Sequence, residues 1–137
     1  MKRTFALMLL AFSTIVLAQA PQIISGATIY IEPADGYETE LAAAMMKKHV
    51  PLVVVADQKM ADYIIRGTLR KTEYNANTNR AWSADSASIT VIDARSSQIV
   101  FAASASTNRG RINDLADTCA EKLNDFMTGR KTHRLSW

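Results

Sequence analysis

Between Asp85 and Ser106 apolar residues recur at every second position on both sides of the segment Asp93-Ala94-Arg95-Ser96-Ser97. Ala87, Ile89 and Val91 share one parity, with Ser86, Ser88 and Thr90 on the other. On the return, Ile99, Phe101 and Ala103 alternate with Val100, Ala102 and Ser104. A period of two puts successive side chains on opposite faces of an extended chain, and a turn-rich break between two such runs is a β-hairpin. A hairpin cannot bury its own apolar face, so the rest of the chain has to cover it.

Two segments have the helical period to do so. Ile112, Leu115, Cys119, Leu123 and Phe126 form one apolar stripe, and Gly129 ends it. Upstream, a helix is predicted from about Tyr37 to His49, with Tyr37, Leu41, Ala44 and Met45 on one face. Asp35 is the expected N-cap, and Glu38 is placed to reach back to free backbone N–H groups. Lys47, Lys48 and His49 suit the negative end of the helix dipole, and Pro51 prevents continuation.

Three more strands are predicted. Ala27–Ile31 is β-branched and aromatic. Leu52–Ala56 is a continuous apolar run, the pattern of a strand buried on both faces. In Asp62–Tyr74, the residues Tyr63, Ile65, Gly67 and Leu69 alternate with Ile64, Arg66, Thr68 and Arg70. Gly67 in its middle implies a bulge or a close neighbour overhead. Residues 75–84 are polar and turn-rich and are expected to be a loop. The order β-α-β-β-β-β-α predicts an α/β (α+β) two-layer sandwich, one mixed sheet with two helices packed on one face.

The ends of the chain carry separate signals. Lys2 and Arg3, the apolar stretch Phe5–Leu17 and the small-x-small triplet Ala18-Gln19-Ala20 make residues 1–20 a secretory signal peptide that is expected to be cleaved. Its apolar stretch is shorter than the roughly 20 residues a membrane span needs. This divides the chain into a leader (1–20), a single domain (21–129) and a basic tail (130–137). Of 16 Lys+Arg, two lie in the leader, which leaves 14 against 13 Asp+Glu. A near-neutral domain is a poor nucleic-acid binder. The expected location is periplasmic or secreted, with no stable membrane insertion after cleavage.

Residues 53–67 (Val-Val-Val-Ala-Asp-Gln-Lys-Met-Ala-Asp-Tyr-Ile-Ile-Arg-Gly) are similar to the strand, Ala-Asp and Tyr-hydrophobic-x-x-Gly signature of small bacterial envelope domains. These include the amino-terminal domain of the Tol–Pal translocation protein, curli-secretion lipoproteins and lipoprotein activators of penicillin-binding proteins. The hairpin Val91–Phe101 resembles their Val-Asp-x-x-Thr-Gly-x-Ile-Val-Trp turn, departing from it at Ser97, where the usual Gly is absent. The chain also resembles a group of small secreted proteins from soil bacteria. The resemblance covers residues 27–127 and implies a non-catalytic role in envelope assembly or protein contact, by analogy of fold.

No motif for chemistry accompanies it. His49 and His133 lack metal-ligand spacing, and no metal or cofactor is expected. The single cysteine, Cys119, lies on an apolar stripe, where a thiol is a small inert hydrophobe. Glu38/Glu40 and Asp57/Asp62 read as helix-start and turn residues rather than acid–base pairs. No phosphate loop or nucleophile elbow is present, and no enzyme is predicted. The expected function is a non-catalytic envelope interaction domain with an envelope protein as partner. Arg66 and Arg70 on a strand face, with Tyr74, Arg80 and Trp82 in and beside the following loop, are the candidate binding residues. The alternative is a small-ligand or glycan-binding module that stacks its ligand on Tyr74 and Trp82.

Overall fold

The structure, a computed structural model, describes residues 22–76, 79–108 and 110–130, and only the backbone over 72–83. The leader expected at 1–20 and the tail from 131 onward lie outside the described residues. In chain order the elements are β1 (Thr28–Ile31), α1 (Tyr37–Lys47), β2 (Val53–Val54), a 3-10 turn (Gln58–Met60), β3 (Tyr63–Ala76), β4 (Asn79–Asp93), β5 (Ile99–Ser106) and α2 (Ile112–Thr128). The sheet order is β2-β1-β3-β4-β5. β1 runs parallel to β2 and β3, and the other pairs are antiparallel. The sheet is therefore mixed, and the predicted order of elements holds.

Both helices pack on one face. The inward parity of the sheet contributes Ile29, Ile31, Tyr63, Ile65, Ala87, Ile89 and Val91, all buried. Against them lie Tyr37, Leu41, Ala44 and Met45 of α1, and Leu115, Ala116, Cys119, Ala120 and Leu123 of α2. The helices are tied to each other at the surface by Lys47–Asp117 (2.6 Å) and Lys48–Glu121 (3.3 Å). The Asn124 side chain donates to the Lys48 carbonyl at the end of α1. Exposed ion pairs of this kind each stabilise by well under about 1 kcal/mol, so the apolar layer dominates.

Gly67 has a close neighbour overhead. The Tyr37 ring lies on its bare backbone, and a Cβ there would stand 2.9 Å from Tyr37 Cδ1. The irregularity in its pairing lies further along and belongs to the neighbouring strand: the register steps from Arg70–Ser86 to Lys71–Ala84, which leaves Asp85 of β4 as the extra residue.

Four local expectations are corrected. The valine run is not a buried central strand: β2 has two residues, sits at the sheet edge, and leaves Val53 53% and Val54 37% exposed. Asp35 does not cap α1; it has φ 55°, and Gly36 (φ 86°) holds the N-cap position. Glu38 does reach back, its carboxylate accepting from the N–H groups of Ala34 (2.8 Å) and Gly36 (3.0 Å). Those bonds hold its pKa below the ordinary value. Residues 75–76 and 79–84 are strand rather than loop, because β3 and β4 stay paired out to Ala76–Asn79; residues 77–78 lie outside the described residues. Finally, a register shift between Val91 and Ile92 skips Val100, so Val100 turns inward and Ile99 is left 63% exposed.

The β4–β5 turn keeps its shape without glycine. Ser97 takes φ 58°, its N–H donates to the Asp93 carbonyl, and Asp93 Oδ1 accepts from the N–H groups of Arg95 and Ser96. A left-handed residue with a Cβ is strained by roughly 1–2 kcal/mol, part of which glycine returns through its looser unfolded state. Ser97→Gly is expected to stabilise the domain by about 0.5–1 kcal/mol. An unchanged or lowered denaturation midpoint would count against this reading of the turn.

Candidate functional site

The face of the sheet away from the helices is uncovered among the described residues, and the strand registers give its layout. At one end, Tyr30 pairs with Ile64, Ile64 with Ile92, and Ile92 with Ile99, one apolar row across four strands. Next comes Arg66–Thr90–Ala102, then Thr68–Ser88–Ser104, then Arg70–Ser86–Ser106. Partners in register share a face, so the surface passes from apolar to hydroxyl-rich to cationic along the strands.

Arg66 and Arg70 stand on this one face, about 13 Å apart at the rise of an extended chain. Their electrostatics differ. Arg66 is held in a two-point pair with Glu32, Nε to Oε2 at 2.8 Å and Nη2 to Oε1 at 3.3 Å. The Arg66 hydrogen bond keeps the Glu32 carboxyl below its usual pKa. Arg70 is exposed and has no ion-pair partner among the described residues. Thr68 and Ser88 share a hydroxyl–hydroxyl bond across the ladder.

The other three candidates lie on the hairpin extension, where β3 and β4 run on as a two-stranded arm. Its backbone ladder pairs Glu73 with Trp82, Tyr74 with Ala81 and Asn75 with Arg80. Tyr74 and Trp82 are therefore not opposite one another. The side chains of Tyr74, Arg80 and Trp82 lie outside the described residues.

A shallow groove of about 950 Å³ borders the apolar row, lined by Tyr30, Ile64, Met60, Asp62, Ala94 and Arg95. Both of its carboxylates are engaged locally: Asp62 Oδ2 accepts from Thr28 N–H (3.1 Å) and from the Thr28 hydroxyl (3.0 Å). These bonds hold Asp62 below the ordinary aspartate range. Asp57 accepts from Lys59 N–H and caps the 3-10 turn. Asp62 is therefore not the raised, unpartnered kind of acid that transfers protons. Cys119 is fully buried beside Tyr37, and burial pushes the thiol and the phenol up, away from reactive forms. Among the described residues no three potential metal ligands cluster, and no helix is long and apolar enough to cross a membrane.

The apolar row Tyr30–Ile64–Ile92–Ile99 was not read from sequence as a site. The signal was present. Ile29-Tyr30-Ile31, Tyr63-Ile64-Ile65 and Val91-Ile92 are apolar at both parities, which a strand with one wet face does not need.

No protein-family model matches the sequence, and no curated protein is similar to it. Solved structures share its fold. The PelC dodecamer from Paraburkholderia phytofirmans superimposes with a TM-score of 0.54 at 15% identity, over 82% of this chain and 94% of that one. TolB from Acinetobacter baumannii gives 0.54 at 12% identity, over 82% of this chain and 30% of the TolB chain. Identities this low establish a common fold. The resemblance to the Tol–Pal translocation protein's small domain thus holds at the level of architecture.

Proposed function

We propose that this chain is an exported, non-catalytic cell-envelope domain that binds a protein partner across the open face of its sheet. The observation that carries the reading is the one-sided covering of that sheet. Among the described residues the apolar row beside Arg66 and Arg70 has no layer over it, and an uncovered apolar surface rimmed by polar groups is the mark of a contact surface. The backbone ladder of β3 and β4 carries on from Arg70 into the arm that bears Tyr74, Arg80 and Trp82. The leader-like residues 1–20 support export, and the fold shared with TolB and the dodecameric PelC is in keeping with an envelope role.

The test is crosslinking in the native cell followed by capture of the tagged protein. Combined alanine substitution of Arg66, Arg70 and Trp82 is expected to reduce partner recovery by about tenfold or more, since Arg and Trp are frequent interface anchors. Stability should fall by less than about 1 kcal/mol from loss of the exposed Arg66–Glu32 pair. Undiminished recovery with the triple variant would count against the open face.

A further inference from the structure

The free side of β5 is a second surface with a definable chemistry. The N–H of Thr107 donates to the Asp85 carbonyl at 3.0 Å, in line with the β4–β5 register. In an antiparallel ladder hydrogen-bonded and non-bonded pairs alternate. Ala87–Ala105, Ile89–Ala103 and Val91–Phe101 are therefore the bonded pairs. Ala102, Ser104 and Ser106 turn their N–H and C=O groups away from β4. β5 is the last strand of the sheet, so no described strand meets them. All three residues are small and exposed, and Ile99–Ser106 contains no charge and no proline. Such an edge is a template for another strand unless something guards it.

The guard is on α2. Lys122 Nζ donates to the Ser104 carbonyl at 2.6 Å, occupying one of the outward acceptors. One turn later Phe126 packs against Phe101 in a tilted ring contact, centroids 4.9 Å apart, and remains 43% exposed. Lys122 and Phe126 are separated by about 6 Å along the helix, close to the roughly 6.7 Å between alternate residues of a strand.

We propose that the β5 edge takes up an extended peptide of a partner protein, with a carboxylate side chain meeting Lys122 and an apolar side chain two residues away covering Phe126. The incoming N–H replaces Lys122 at the Ser104 carbonyl, and the freed ammonium pairs with the peptide's carboxylate. Because α2 passes from Lys122 near Ser104 to Phe126 near Phe101, it runs antiparallel to β5. A peptide antiparallel to β5 thus reads acidic-x-apolar. A second copy of this chain is a poor occupant, since pairing two β5 edges about Ser104 brings two Lys122 ammonium groups together. This rests on the protein-binding reading above and names the kind of segment bound.

The probes are two capped eight-residue peptides of alternating threonine and apolar residues, one with Glu two positions before a Phe, the other with Lys in place of that Glu. Amide NMR shifts of the full domain report binding. The Glu peptide is expected to move the amides of Ala102, Ser104 and Ser106 and to bind about tenfold tighter than the Lys peptide. Lys122→Glu should reverse that preference. Ser104→Pro removes an outward N–H that β4 does not use, so it should abolish binding with the β4 ladder intact; Ala103→Pro, which removes a ladder N–H, should instead unfold the edge. Equal binding of both peptides, an unreversed preference in Lys122→Glu, shifts elsewhere, no binding at millimolar peptide, or self-association through β5 would each overturn the proposal. The peptides need no envelope partner. Their failure with the Arg66/Arg70/Trp82 effect intact removes only the β5 site, and the converse removes only the open-face reading.

Discussion

Gly67→Ala is expected to destabilise the domain by about 1–3 kcal/mol, the range for overpacking a filled core. The cause is a single contact. The added Cβ would stand 2.9 Å from Cδ1 and 3.2 Å from Cε1 of Tyr37, whose ring is fully buried between α1 and the sheet. The ring cannot swing away, because Leu41, Ala44, Met45 and Cys119 fill the same layer. Backbone strain is not involved, since Gly67 is not among the residues with positive φ. The penalty should therefore shrink when Tyr37 is also replaced by Leu, which withdraws the ring. A double-mutant cycle read by chemical denaturation checks this, and strict additivity of the two substitutions would contradict the contact.

Leu123→Ala and Leu115→Ala are each expected to cost about 2–5 kcal/mol. Both leucines are fully buried in α2, one turn either side of Cys119, within the apolar layer between the helices and the sheet. Truncation removes their transfer free energy and leaves a cavity between layers held by several elements at once, which limits collapse. Phe126→Ala, on the same stripe but 43% exposed, should cost much less. Comparable losses at positions 123 and 126 would mean that the core lies elsewhere.

The two helices and the hairpin were legible because their periods differ and each persists for several repeats. The stripe Ile112–Phe126 could only be a helix face, and Ala87–Val91 only a strand face. What stayed hidden depends on long-range pairing. Leu52–Ala56 says that both faces of the segment are apolar, but not that β1 meets it on one side only. Asn75–Ala84 has the composition of a loop, yet continued pairing between β3 and β4 overrides local preference, as context does in sheets. The skipped Val100 reverses the parity of Ile99 and completes the apolar row, and no local pattern marks that bulge.

Of the candidate site, Arg66 and Arg70 were legible as one face because they share a parity on β3. Their unequal state was not, since Glu32 reaches Arg66 from just past the end of β1, 34 residues away in sequence. The free edge of β5 and its Lys122 guard also follow from strand order alone. Ser104 and Lys122 are 18 residues apart, on elements whose contact no periodicity encodes.

The most direct measurement of the central claim is site-resolved photocrosslinking in the native cell. A photoreactive residue is placed at Thr68 or Thr90 on the open face, and at Ala43 or Thr118 on the outer side of the helices. One discrete partner adduct is expected from Thr68 and Thr90, and none from Ala43 and Thr118. Adducts from the helical positions alone, or equally from both faces, would contradict it.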